Sequence, residues 1–334
     1  MVDQQFLSKI KSQVHYTNCF VFENELFDQN KKCVFETELQ EGIFCFYKNS
    51  NYNFKHLNFY VNESKIIENK KINWKHDSFV TEIISVNSEK NHKVKKWLLN
   101  QDNFHYRSFF RMIRTDKTVF DLDFSKVQHP DENDLENIIL HLEKSFDKHT
   151  ERIPNLDELK RLQKSSYVIK DNNKIAAVLI TEFKGANQEL NFMVTLPEFE
   201  GKGYGRILMN YVFTIPNTQR WVMWVDSTNE RVLDWYYNMG YKKDKLENNI
   251  YISKKIMIDI IKNILLDTRD EFDFNDTTVN FVEAGYLDSF DIISIVVDLE
   301  SAFDVKISGA LILPENFKSL ESIANLIQMS KDAS

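Results

Sequence analysis

Three of the eight glycines in this 334-residue chain alternate at Gly201, Gly203 and Gly205. Leu190 to Leu196 before them reads as a half-buried strand, and Ile207, Leu208, Tyr211 and Val212 after them recur at helical spacing. Glycine permits positive φ and close approach of the backbone to a ligand. The unpaired N–H groups that open the following helix suit an anion. Strand, glycine turn and helix together describe a pyrophosphate pocket. Arg206 follows Gly205, so the dinucleotide fingerprint fails, and no Gly-Lys-Ser/Thr closes a Walker loop. A second constellation runs from Trp224 to Tyr241: a strand ends at Val225, Asn229 opens a helix, Tyr236 lies two turns along it and Gly240 ends it. A third, Gly285-Tyr-Leu-Asp288-Ser289-Phe290, places two good N-cap residues before an apolar helical run.

The glycine turn, Glu200-Gly-Lys-Gly203-Tyr-Gly205, resembles the acyl-CoA loop of the GNAT N-acyltransferase superfamily, with Glu200 where that family prefers Arg or Gln. The stretch from Trp224 to Tyr241 resembles the family's second motif. The resemblance implies that a splayed strand near Val194 and Thr195 offers backbone N–H to a thioester carbonyl. It implies that amides of Lys202, Gly203, Tyr204, Gly205 and Arg206 hold the pyrophosphate of acyl-CoA, and that Asn229 positions the substrate. Tyr236 is the expected proton donor to the leaving sulfur, because a phenol of pKa about 10 is protonated at neutral pH. Glu189, Asn191 and Asp226 are weak candidates for a general base, since a water chain could replace it.

From Lys254 the composition changes. Seven Lys/Arg face fifteen Asp/Glu, so this last quarter carries the whole of the chain's net charge of −8. Apolar residues recur helically at Ile256, Ile260, Ile261 and Ile264, at Ile292, Val296, Leu299 and Phe303, and at Leu320, Ile323 and Ile327. With Asp288-Ser289-Phe290 opening its second helix, the segment resembles an acyl or peptidyl carrier protein, Phe290 replacing the usual leucine. The resemblance implies a four-helix domain with phosphopantetheine covalently attached to Ser289. It also implies a phosphopantetheinyl transferase and adenylating or other assembly-line enzymes as partners, drawn to acidic residues such as Asp291, Asp298 and Glu300.

The rest of the chain limits the classes of function. No apolar run approaches the roughly 18 residues of a membrane span, and the start lacks a secretory pattern. Cys19, Cys33 and Cys45 have no Cys-x-x-Cys pairing, so neither a disulfide framework nor a metal site is expected. Nucleic acid is not an expected partner, and the cytoplasm is the default. All eight histidines, His15 to His149, precede the motifs, with no spacing that calls for a Ser-His-Asp hydrolase.

Strands are expected at Phe79 to Val86, Tyr106 to Ile113 and Phe120 to Val127, within Gly42 to Val61, and at Tyr167 to Lys170 and Ile175 to Phe183 about an Asp171-Asn-Asn turn. Helices are expected at His92 to Leu99, Glu132 to Phe146 and Leu156 to Gln163. The expected architecture is an accessory α/β region (1–117) that is either a decayed copy of the GNAT fold or a separate extension, a GNAT α/β domain (118–253) and an all-α carrier (254–334). Three functions stay open: N-acylation of an amine, most simply an aminoacyl unit on a carrier; loading of an acyl group from CoA onto the chain's own arm; or a non-catalytic scaffold.

Overall fold

The computed structural model describes residues 16–17, 33–38, 42–48, 52–61, 71–72, 74, 77–86 and 92–332. His15 and Cys19 lie outside the described residues, as do the side chains of Cys33 and Cys45. In chain order the main elements are β1 (Tyr16–Thr17), β2 (Cys33–Glu38), β3 (Gly42–Lys48), β4 (Lys55–Val61), β5 (Phe79–Val86), α1 (His92–Leu99) and β6 (Asn103–Arg114). There follow β7 (Val127–Gln128), α2 (Leu135–Ser145), α3 (Leu156–Leu162), β8 (Ser166–Asp171), β9 (Lys174–Lys184), β10 (Asn187–Thr195), α4 (Tyr204–Phe213), β11 (Arg220–Asp226), α5 (Glu230–Asn238) and β12 (Lys242–Ser253). Three helices close the chain: α6 (Lys254–Thr268), α7 (Ser289–Phe303) and α8 (Leu320–Asp332).

The chain forms two compact units, one of residues 109–248 and one combining residues up to 108 with those from 249 on. In the first, the strand order is β7-β8-β9-β10-β11, with residues 109–114 of β6 antiparallel to β11. β9 is buried on both faces because successive side chains point to opposite sides. Val178 and Ile180 meet Ile138, Leu142 and Leu159 of α2 and α3 on one side, while Ala177 and Leu179 meet Leu208, Met209 and Val212 of α4 on the other. Asn172 and Asn173 both take positive φ, 51° and 62°, as a two-residue hairpin between twisted strands requires.

The expected strand from Phe120 to Val127 is a departure: only Val127–Gln128 is extended and paired. Local side-chain hydrogen bonds compete with a ladder there. Asp123 Oδ1 accepts from Ser125 N at 2.9 Å, and just upstream Asp116 Oδ1 accepts from Thr118 N at 2.9 Å.

The second unit repeats the strand pattern of the first. Strands β2, β3 and β4 are antiparallel neighbours, and β4 then pairs in parallel with β5 at Lys55↔Phe79 and His56↔Val80. Residues from 249 onward of β12 lie beside β5. Val94, Trp97 and Leu98 of α1 seal a core with Phe44, Phe46, Leu57, Phe59 and Ile83. The same unit holds the C-terminal helices, whose core includes Met257, Ile261, Leu265, Ile295, Leu299, Phe303, Phe317 and Ile323. Where a fourth helix was expected, two single 3-10 turns occur, Gly309–Leu311 and Pro314–Asn316. Pro314 lacks an N–H and opens the second turn, while Gly309 costs helix stability in the first.

Candidate functional site

In the first unit β10 and β11 pair in parallel only at Asn187–Glu189 against Arg220–Val222. Beyond Glu189, β10 follows β9 through an irregularity between Leu190 and Phe192, while β11 follows β6 as far as Asp226. The divergence opens a cleft of about 550 Å³ lined by both sequence motifs: Met193, Thr195, Glu200, Gly201, Gly203, Tyr204, Gly205 and Arg206 on one side, and Asn229, Arg231, Val232, Trp235 and Tyr236 on the other.

The glycines act in two different ways. Gly203 is the N-cap of α4 at φ 79°, a left-handed conformation that disfavours a side chain, and no side chain caps the helix. Gly205 has ordinary helical geometry but no room: a Cβ there would meet Met193 Cε at 2.6 Å and Thr195 Oγ1 at 3.1 Å. Its absent side chain lets α4 lie close against β10. The Lys202 amide donates to Phe199 O at 3.4 Å, and the Ile207 amide to Gly203 O at 3.1 Å, leaving the intervening amides at the start of the helix.

The sequence-derived residues divide between lining the cleft and supporting it. Thr195, Gly203, Tyr204, Gly205, Arg206, Asn229 and Tyr236 line it. Val194 does not line it and packs instead against the cores on both faces of the sheet. Lys202 turns aside to Asp171, its Nζ 2.9 Å from Oδ2, and Tyr204 OH donates to the same oxygen at 2.8 Å. These two partners hold the Asp171 carboxyl below its usual range. Asn229 caps α5, its Oδ1 accepting from Val232 N at 3.2 Å, which leaves its amide NH₂ as the group it can offer a ligand.

Tyr236 is 7% exposed, and burial pushes its phenol well above the usual value. It stays protonated, stacked edge-on with Trp235 and Tyr241. The weak base candidates do not line the cleft: Glu189 is paired with Lys184 at 2.7 Å, and Asp226 Oδ1 accepts from Thr228 N and Oγ1 at 2.9 and 2.8 Å. Sequence reading missed Met193, Arg231, Val232 and Trp235. The last three lie within one and a half turns of Tyr236 on the same helix, so helical spacing could have found them.

The second candidate hydroxyl has the opposite setting. Ser289 is exposed at the first position of α7, and among the described residues its hydroxyl has no hydrogen-bond partner. Asp288 provides the N-cap, Oδ1 accepting from Phe290 N at 2.7 Å and Asp291 N at 3.0 Å. Asp291 closes the capping box on Asp288 N at 2.9 Å, and Arg269 Nε donates to Asp291 at 3.0 Å. The serine is therefore held at a rigid helix start while its own oxygen stays free to carry a substituent. Phosphopantetheine fits this setting.

A contact between a serine hydroxyl and a histidine occurs elsewhere: His105 Nε2 lies 2.9 Å from Ser108 Oγ. Ser108 gives its proton to Asn249 Oδ1 at 3.1 Å, so the imidazole nitrogen must donate rather than accept. Burial pushes His105 down to about 3. A neutral histidine in that tautomer cannot deprotonate the serine. Among the described residues no cluster of three or more His, Cys, Asp or Glu could hold a metal, and no helix is long and apolar enough to cross a membrane.

Comparison with known protein families gives two matches. Residues 163–243 match the acetyltransferase (GNAT) domain family, and residues 258–327 match the phosphopantetheine attachment site family. No curated protein matches the chain. Solved structures that this chain resembles include a Drosophila protein at 16% identity, covering 64% of this chain and 74% of its own, with a TM-score of 0.44. A putative GNAT acetyltransferase from Novosphingobium aromaticivorans is 11% identical, covering 62% and 87%, with a TM-score of 0.42. A GCN5-related N-acetyltransferase from Sphaerobacter thermophilus is 10% identical, covering 65% and 82%, with a TM-score of 0.45. The chain thus joins a GNAT acetyltransferase domain, over residues 163–243, to a phosphopantetheine attachment (carrier) domain, over residues 258–327.

Proposed function

We propose that the cleft transfers an acyl group from acyl-CoA to an amine, most simply the amino group of an aminoacyl unit tethered on a carrier in assembly-line biosynthesis. The observation that carries this reading is the parting of β10 from β11, with an uncapped helix start and a protonated tyrosine on its walls. The first amides of α4 hold the pyrophosphate, and Arg206 and Arg231 add positive charge that offsets Glu200. Backbone N–H near Val194 and Thr195 polarises the thioester carbonyl. The amine forms the C–N bond as the C–S bond breaks, and the proton lost from nitrogen balances the one gained by sulfur.

Tyr236 has a definite place in that balance. Its phenol is a weaker acid than a thiol of pKa about 8.5. It therefore donates a hydrogen bond to sulfur as charge gathers there, rather than giving up its proton beforehand. Asn229 orients the acceptor through its amide NH₂.

Ser289 would carry the arm that brings one reactant, installed by a phosphopantetheinyl transferase. The carrier's acidic surface would meet adenylating or other assembly-line enzymes. Residues 1–117 are read as a decayed copy of the acyltransferase half, supported by the repeated β4/β5 pairing and by the presence of only Gly42 in that stretch. The GNAT domain would then run over 118–253 and the carrier over 254–334. Three cysteines without Cys-x-x-Cys spacing favour the cytoplasm.

The test is intact-protein mass after treatment with a phosphopantetheinyl transferase and CoA, followed by a panel of acyl-CoAs with an aminoacylated carrier. A pantetheine increment that Ser289→Ala abolishes, with acylation only of the aminoacyl unit, is expected. Acylation of the arm in the absence of any amine would convert the reading to a loading unit.

A further inference from the structure

Carrier domains need to move, and domains joined through small polar interfaces ordinarily do. Here the connection has no slack. Ser253 is at once the last residue of β12 and the N-cap of α6. Its Oγ accepts from Phe79 N at 3.1 Å, and the next amide, Lys254 N, donates to Asp102 O at 3.0 Å. Lys254 Nζ also pairs with Glu321 of α8. The root of the carrier is pinned to β5 and to the start of β6.

A second attachment lies at the other end of the helix that carries Ser289. The last carbonyls of a helix lack partners within it and attract cations. Arg107 of β6 supplies one: its Nη2 donates to Ser301 O at 2.8 Å and Ala302 O at 2.9 Å. Lys331 of α8 supplies another, its Nζ donating to Phe303 O at 2.9 Å and to Tyr106 O at 3.2 Å. Burial first, then Arg107, push that amine down to about 8. The rings of Tyr106 and Phe303, 4% and 2% exposed, meet edge-on at 6.0 Å. Thus α6, α7 and α8 each contact the segment of residues 102–107.

We propose that the N-terminal part of the chain is a dedicated dock that holds the carrier by the end opposite its serine. Fourteen residue steps of α7 at 1.5 Å set Ser289 about 21 Å from Phe303. The serine and the exposed start of α7 therefore remain free while the domain stays fixed, and the arm alone supplies the travel. This gives residues up to 108 a task that requires no glycine loop and no acyl site.

The test is ¹⁵N relaxation of backbone amides in the full chain, without pantetheine on Ser289, so its failure leaves the acyl-transfer reading untouched. Amides of α6, α7 and α8 are expected to share one rotational correlation time with those of β5 and α1. The double variant Arg107→Ala/Lys331→Ala is expected to shorten the carrier's value alone. For tumbling that scales with the size of a compact body, the limit set by this unit is about 2.4-fold, the ratio of its 194 residues to the carrier's 81. Faster tumbling of the carrier in the unmodified chain would overturn the proposal. So would a folded double variant whose carrier stays coupled.

Discussion

Two pairs of parallel strands in this molecule begin in the same way and end differently. Both β4/β5 and β10/β11 make only a few parallel pairs, two in one case and three in the other. After β10 the chain offers Gly201, Gly203 and Gly205, and a cleft forms whose walls hold a helix start, two arginines and a buried phenol. The stretch up to residue 108 contains Gly42 alone and packs its space with Phe44, Phe46, Phe59 and Trp97. The difference teaches that parting strands supply an opening, while the residues that follow decide whether it holds a ligand or a core.

The strongest way to break that contrast is to remove the phenol. Tyr236→Phe is expected to lower kcat by about 10²-fold, at the low end for loss of one hydrogen-bond donor to developing charge, with little change in KM for acyl-CoA. The raised phenol pKa puts its own titration above pH 10, so between pH 6 and 9 the variant and the parent should share one profile shape, read from kcat at fixed saturating substrate. A profile limb in that range that vanishes with the phenol would contradict the assignment.

Gly205→Ala should come next. The new methyl group displaces the flexible end of Met193, which lines the cleft, so the penalty falls on binding. We expect KM for acyl-CoA to rise roughly tenfold, equivalent to about 1.4 kcal/mol, while the thermal midpoint moves little. A smaller effect is expected from Glu200→Gln, which removes an acid from the mouth of the site. At the modest strength of exposed charge interactions, acyl-CoA should bind up to about threefold tighter, measured by calorimetry at low salt.

The last prediction is a null result that sharpens the comparison. Trp97→Ala should destabilise the second unit by about 3–5 kcal/mol, the usual cost of emptying an aromatic core position. Acyl-CoA affinity of the cleft should not change. An affinity loss in that variant would mean that the N-terminal strands take part in donor binding.

Much of this arrangement was legible from residue types. The strand, glycine turn and helix stand where the motif places them, and Asp288 caps the helix that Ser289 opens, as its side chain dictates. What the sequence did not show follows from packing. Gly205 and Gly203 look alike in a motif, yet one is required by a neighbouring methionine and the other by its backbone angle. Lys202 sits among the loop residues but turns to Asp171, which is distant in sequence. The stretch from Phe120 to Val127 has strand-like composition, but Asp123 accepts from the Ser125 amide in place of a ladder partner. Pairings such as Arg107 with the end of α7 join residues almost two hundred positions apart, and no local pattern announces them.

The central claim is that one of the two strand openings binds a CoA thioester and the other does not. Isothermal titration of the full chain with a non-hydrolysable acyl-CoA analogue tests it most directly. The account predicts one site per chain, with binding weakened at least tenfold by Gly203→Val, whose side chain the left-handed angle opposes. Two sites per chain, or a single site indifferent to that substitution, would contradict it.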